Sequence, residues 1–232
     1  MVISQTVVGV DACAGGWFTT IILGNPVQTK LSKTSTKSST STQTPTVSSS
    51  MFPSVSRPIV DAGAMSVRVI YLDVVVARSS NPPCEAAIEI DDYDVAKAEH
   101  EDKVGHGLTK QAHSIQTNIR EVDNLVPDDR YDGQIRESHP ELCFYALNRQ
   151  PIAYSKSSDR GREMRLDLLQ GEIDNARAIY DEVRNRHPLR TVGRDDIIDS
   201  MALAVAARRD SLETVPEAPE AEQPRIYYPT LH

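Results

Sequence analysis

No run of apolar residues in this 232-residue chain approaches the ~20 needed to span a bilayer, and Met1-Val-Ile-Ser-Gln does not read as a secretory signal. The expectation is a soluble, cytoplasmic protein with no membrane partner. Cysteine is scarce: Cys13, Cys84 and Cys143 are scattered and odd in number. That excludes a disulfide framework and a cysteine-based zinc site, and it predicts reduced thiols. Basic residues are also short, with 25 Lys and Arg against 33 Asp and Glu and a net charge of −8. Phosphate affinity rests on Lys and Arg, so tight nonspecific duplex binding is disfavoured. A nucleic-acid partner is compatible with this only where cations line the site locally. No internal repeat is visible. The length suits one domain able to bury a real core.

Against these absences stand three acids in distinctive settings. Thr6-Val-Val-Gly-Val-Asp11-Ala-Cys-Ala-Gly-Gly-Trp17 reads as a β-branched strand ending in an acid, followed by a Gly-rich turn. Much later, Gly193-Arg-Asp-Asp-Ile-Ile-Asp-Ser-Met-Ala-Leu-Ala-Val-Ala-Ala207 reads as a small-residue helix with acids in its first turn. Residues three apart share a helical face, so Asp196 and Asp199 can address one cation. Together with Asp11 they form a hard-oxygen set suited to Mg²⁺ or Mn²⁺. The plainer reading of Asp195 and Asp196 is a helix cap that also favours the dipole.

A further motif is Ile135-Arg-Glu-Ser-His-Pro-Glu-Leu-Cys-Phe-Tyr-Ala-Leu147. It reads as a short strand carrying Glu137, broken at Pro140, then a turn into a helix. In an extended strand Glu137, His139 and Glu141 share one face. The alternative makes His139 a turn residue and Glu141 a first-turn acid.

These segments resemble a family of uncharacterised proteins predicted to be RNase H-like nucleases. The resemblance runs through Gly9-Val-Asp-Ala-Cys-Ala-Gly-Gly-Trp17, Arg136-Glu-Ser-His-Pro-Glu-Leu-Cys-Phe144 and Asp195-Asp-Ile-Ile-Asp-Ser-Met-Ala202. It continues in Gly107-Leu-Thr-Lys110 with the helix that follows, and in Ala153-Tyr-Ser-Lys156 with Gly161-Arg-Glu-Met-Arg-Leu-Asp-Leu-Leu169. It covers residues 5 to 24 and 82 to 209. It implies an α/β fold: a mixed RNase H-like sheet flanked by helices, in a single domain over 1–212, with an acidic, Pro-containing tail at 213–232. It also implies metal-dependent hydrolysis of phosphodiester bonds with two divalent ions ~4 Å apart. Asp11 would bridge the ions, Asp196 and Asp199 would complete one shell, and Glu137 would ligate or orient the attacking water. Two other readings remain open: a noncatalytic binding module on the same scaffold, and an actin-like or sugar-kinase ATPase. The ATPase reading needs a second Gly-rich phosphate loop and a late adenosine motif, and the sequence has neither.

The departure from the family lies between about Pro26 and Asn81. The family strand Ile-Asp-x-Pro-Ile-Gly-Leu and a later Ser-Ser-Val-Phe are missing, and fourteen of the twenty residues 31–50 are Ser or Thr. Codon arithmetic points to a cause. Ser49 to Ser56 can be written TCA TCG ATG TTC CCA TCG GTC TCT, and from its third base the same string reads Ile-Asp-Val-Pro-Ile-Gly-Leu. Tyr71 to Ser80 yields Leu-Gly-Arg-Arg-Ser-Ser-Ser-Val-Phe in that offset. The expectation is that about 27–81 is translated out of frame, that nothing natural follows Leu23 in the first hairpin, and that the product is weakly active or dead. The run Val67-Arg-Val-Ile-Tyr-Leu-Asp-Val-Val-Val-Ala77 is apolar and β-branched enough to form a strand by accidental propensity.

The remaining periodicity predicts amphipathic helices. Leu108, Ala112, Ile115, Ile119, Val122 and Val126 describe one long helix with one apolar stripe. Leu166, Leu169, Ile173, Ala176, Tyr180 and Val183 repeat that pattern and end before Pro188. Asp91 to Val104 reads as a charged, solvated helix. Lys110, Arg120 and Lys156 are the basic residues of interest, and Thr214 to Pro224 reads as disordered.

Overall fold

The computed structural model describes residues 6–23, 27–33, 83–124, 135–218 and 225–230, with the backbone alone of 67–73 and of 111. The chain divides into two compact units. The first holds a mixed α/β arrangement with a five-stranded sheet. Strands β1 (Thr6–Cys13), β2 (Gly16–Ile22) and β3 (Val27–Ser32) form an antiparallel meander. On the other side of β1, β4 (Val67–Asp73) runs parallel to it, and β5 (Ile135–Glu137) runs parallel to β4.

One expectation changes here, and another is met. The first hairpin does not stop at Leu23: Val27 pairs with Ile22 and Ser32 with Trp17, so β3 is a full partner of β2. Its alternating Val-Gln-Thr-Lys-Leu-Ser suits a strand with one face turned inward. The strand expected from the apolar, β-branched run does form, over Val67–Asp73, and it takes the central place between β1 and β5. The Ser/Thr residues from 34 to 50 lie outside the described residues, as does the codon-offset stretch 49–56.

The core of this unit is built around α8 (Arg194–Ala207), which packs on β1, β2 and β4 and is flanked by α5 (Pro140–Asn148), α6 (Asp159–Gln170) and α7 (Ala176–Arg186). Four alanines give α8 high helix propensity, and Asp195 and Asp196 in its first turn complement the dipole. Every residue from Ile197 to Ala207 is buried. The small side chains make that burial possible, because they let sheet and neighbouring helices approach the helix closely on several sides.

The stripe from Leu166 to Val183 is buried as expected, but two helices carry it, α6 and α7, separated by Gly171–Asn175. The tail is partly ordered. Thr214 and Val215 belong to β6 (Leu212–Val215), which pairs antiparallel with β7 (Ile226–Pro229). A bridge from Ser138 to Tyr227 ties β7 to the end of β5, and the Ser138 hydroxyl donates to the Tyr227 carbonyl at 2.6 Å. The Arg136 guanidinium lies 4.8 Å over the Tyr227 ring. These contacts give the hairpin apolar and polar anchors that its Pro- and Glu-rich composition hides.

The second unit is helical: α1 (Glu85–Ile88), α2 (Tyr93–Val104), α3 (Lys110–Ser114) and α4 (Gln116–Asp123). The Asp92 carboxylate caps α2 by accepting from the Asp94 and Val95 amides, and Gly105 ends it at φ 77°. The single long helix expected from Leu108 breaks at Ile115, which serves both α3 and α4. Leu108 and Ala112 of its apolar stripe are buried, whereas Ile115, Ile119 and Val122 are only half-buried. Gln116 is buried beside them, its side-chain amide donating to the Ala87 carbonyl at 2.9 Å. Val126 lies outside the described residues. Among the described residues no helix is long and apolar enough to cross a membrane, and Cys13, Cys84 and Cys143 form no disulfide.

Candidate functional site

The site follows from how closely α8 crosses β1. A Cβ placed on Gly9 would lie 2.1 Å from the Ser200 carbonyl oxygen and 2.3 Å from the Ala204 amide nitrogen, so helix and strand meet backbone to backbone. Beside that contact the Thr20 and Ser200 hydroxyls share a buried 2.8 Å hydrogen bond. Side chains alternate along a strand, so Asp11 projects from the same face as Gly9, towards α8. The β1–β2 turn fixes the direction. The Gly15 amide donates to the Thr191 carbonyl at 2.8 Å, just before α8 begins. The first turn of α8 therefore lies at the end of β1 that carries Asp11.

Cys13 senses this convergence. Burial, with Asp196 and Asp11 both nearby, pushes its thiol up to about 12, outweighing backbone hydrogen bonds from Gly15 and Gly16. Asp11 and Asp199 are 3% and 2% exposed. Carboxylates buried that deeply need a compensating charge or hydrogen bonds. For Asp199 the charge is Lys156, whose ammonium pairs with its Oδ2 and lies 3.5 Å from Asp195. Asp196 also caps its own helix: its Oδ2 accepts from the Gly193 amide at 2.6 Å. The plainer reading of Asp196 thus holds, and it coexists with a place among the converging acids.

The expected acids do not all behave alike. Asp11, Asp196 and Asp199 come to the same end of β1. Glu137 is level with Leu72 and Val10 in the sheet register, and adjacent Ser138 meets Cys143, 3.4 Å away in the α8 core. Alternation therefore puts Glu137 on the sheet face opposite Asp11. It stays exposed, and partial desolvation raises its carboxyl pKa. Glu137, His139 and Glu141 do not share a strand face, because β5 ends at Glu137. His139 is the N-cap of α5, its Nδ1 accepting from the Glu141 amide at 3.2 Å. At the end of β4, Asp73 stands in register with Asp11. Among the described residues, no group of three or more His, Cys, Asp or Glu is close enough to hold a metal ion.

Sequence reasoning missed the framework behind Lys156. Arg165, 2% exposed, forks onto Glu141 with contacts of 2.7–3.1 Å. It also donates to the carbonyls of Tyr154 and Gly161, at 3.2 and 2.9 Å. The Ser158 hydroxyl caps α6 and donates back to the Ser155 carbonyl at 2.7 Å. Two matched motifs, one around Glu141 and one around Gly161 and Arg165, are therefore the clamp that sets the loop bearing Lys156. The signal was a basic residue within a motif, but its partners are remote in sequence. Lys110 and Arg120 belong to the helical unit, where they meet the Tyr93 ring and Asp91.

A family model described as "Protein of unknown function (DUF429)" matches residues 73–221. That range holds Glu137, Lys156, Asp196 and Asp199, and Asp11 precedes it. No curated protein and no solved structure matches the chain.

Proposed function

We propose that this chain, which belongs to the DUF429 family of unknown function, carries an RNase H-like metal site and is a divalent-metal-dependent phosphodiesterase. The observation that carries the reading is the antiparallel crossing of α8 on β1, which brings Asp196 and Asp199 to the end of the strand bearing Asp11. A mixed sheet flanked by helices, with acids at the first strand's end and at the start of a late helix, is the arrangement the resemblance leads one to expect.

The residues fit a hard cation in two respects. The donors are all carboxylate oxygens, which suit Mg²⁺ or Mn²⁺. A cation, the Lys156 ammonium, already sits against Asp199. Asp11, Asp196 and Asp199 would hold the metal, which when bound would supply an activated water and neutralise charge on a phosphodiester. The rest falls to the chain. Buried Asp11 and Asp199 keep bulk water from competing for the donors, and the cap from Gly193 fixes the rotamer of Asp196. Glu137, on the other face, is outside this set. The acidic surface favours a nucleic-acid or small phosphoester substrate met at a local site over one gripped along a duplex.

A second reading, a noncatalytic scaffold, draws on the Lys156–Asp199 pair and on the lack of a three-ligand cluster among the described residues. Calorimetric Mn²⁺ titration of the wild type and Asp11→Asn separates the two. It is followed by a cleavage screen over single- and double-stranded DNA, RNA and bis-p-nitrophenyl phosphate. Saturable Mn²⁺ binding lost in Asp11→Asn supports the metal site. Binding that is absent, or that Asp11→Asn leaves intact, sinks it.

A further inference from the structure

Lys156 is held among the acids of α8 rather than left on a free arm. Its ammonium pairs with Asp199, whose side chain is 3% exposed, and reaches Asp195 at 3.5 Å; the lysine side chain itself is 17% exposed. The backbone around it is fixed from two sides. A Cβ on Gly161 would lie 2.1 Å from the Ser155 carbonyl, so α6 starts in direct contact with the loop. Arg165 grips Tyr154 from below while its guanidinium is anchored on Glu141 of α5. A lysine on a four-carbon stem usually wanders in solvent. Here the fold delivers it to a buried carboxylate.

We propose that Lys156 is the site's resident counter-cation: it neutralises Asp199 and Asp195 in the metal-free protein, and a divalent ion engages Asp199 only by displacing it. The inference rests on the metal-site reading above and adds a regulatory term to it. Two cations contest one buried carboxylate, where screening is weak and their mutual repulsion is strong. Divalent affinity is then set by the exchange, not by the acids alone. The consequence is a site with lowered affinity that fills only when the divalent ion is plentiful. It also removes the instability that an uncompensated Asp199 would bring to the empty site.

Removing the ammonium should therefore move two observables in opposite directions. The metal-free protein should lose thermal stability, because Asp199 stays buried without its counter-charge. Mn²⁺ affinity should rise, because the competitor is gone. A lysine with a merely structural role would lower both.

The test uses the full chain and Mn²⁺ alone, with calorimetric titration and melting curves with and without the ion. The variants are Lys156→Met, Lys156→Gln, which keeps a hydrogen-bond donor should the methionine variant fail to fold, and Lys156→Arg as the charge-retaining control. The expected result is Mn²⁺ binding at least about tenfold tighter in the uncharged variants, with a lower metal-free Tm and a larger Tm gain on adding Mn²⁺. Lys156→Arg should stay near wild type. Wild-type binding with equal or weaker affinity in both uncharged variants overturns the counter-cation role and leaves the metal site standing. No Mn²⁺ bound by any of the four proteins overturns both.

Discussion

Gly9 and Ser200 touch backbone to backbone: the space a β-carbon on Gly9 would need is filled by the Ser200 carbonyl oxygen, 2.1 Å away. Neither partner is a flexible side-chain end, so neither can yield cheaply. The contact sets how far the acids of α8 stand from Asp11. Gly9→Ala should therefore cost about 2–3 kcal/mol by overpacking, and it should weaken Mn²⁺ binding without touching a ligand. Denaturant melts paired with Mn²⁺ titration check this. A Gly9→Ala protein of wild-type stability would mean that α8 does not lie on β1 as described.

The Arg165 clamp makes a graded prediction. Arg165→Met removes a buried guanidinium that serves Glu141, Tyr154 and Gly161 at once, and should cost about 3 kcal/mol. Glu141→Gln should cost less, about 1 kcal/mol, because Glu141 is partly exposed to solvent and the backbone acceptors of Arg165 survive. If the two substitutions cost the same, the ion pair, not the backbone grip, is what holds the loop. Arg165→Met should also free Lys156 from Asp199, which hydrogen exchange at residues 154–158 would register.

The helical unit should be acid-sensitive through His100. His100 is fully buried, and burial with His106 nearby lowers its pKa from the usual 6.5. Its Nδ1 accepts from the Cys84 amide at 3.0 Å, which requires an unprotonated nitrogen there. The folded state thus favours the neutral ring. Its contribution is fully present above the unfolded pKa of about 6.5 and is lost as pH falls below it, through the lowered folded value. Hydrogen exchange of residues 84–104 at pH 5 against pH 7.5 should show selective opening at the lower pH. His100→Asn, whose side-chain oxygen can accept the same amide, should be less stable at pH 7.5 but should lose the acid sensitivity. An unchanged acid response would assign it to other groups.

The elements that could be read from sequence are those whose determinants are local. Asp11 ends a β-branched run, and Asp196 and Asp199 sit at helical spacing in an alanine-rich segment, so both elements and their acids are legible. The break at Ile115 was not, because it depends on Gln116 reaching Ala87 across the helical unit. The pairing of Lys156 with Asp199, and of Arg165 with Glu141, is likewise a tertiary fact with no local pattern. The face of Glu137 is fixed by where β5 stops and Ser138 bridges Tyr227, which its own motif does not record. Strand β3 did have a signal, the alternation of Val27, Thr29 and Leu31 against polar neighbours.

The departure from the family pattern supports the last prediction. The codon offset places Ile-Asp-Val-Pro-Ile-Gly-Leu where Ser49 to Ser56 now stand, whereas the central strand of this chain is Val67–Asp73. Both cannot occupy the place between β1 and β5. A frame-restored protein should set the family-like strand there, with its aspartate supplying a carboxylate that the present chain lacks at that motif. It should melt several degrees higher, since a strand suited to its neighbours replaces one formed by propensity alone. It should also bind Mn²⁺ more tightly, since one more hard-oxygen ligand joins the set. The present chain and the restored one are compared side by side for Tm, Mn²⁺ affinity and phosphodiester cleavage, after resequencing of the gene across codons 27–81. Equal stability and equal metal affinity would show that the stretch is a genuine insertion and that Val67–Asp73 is the native central strand.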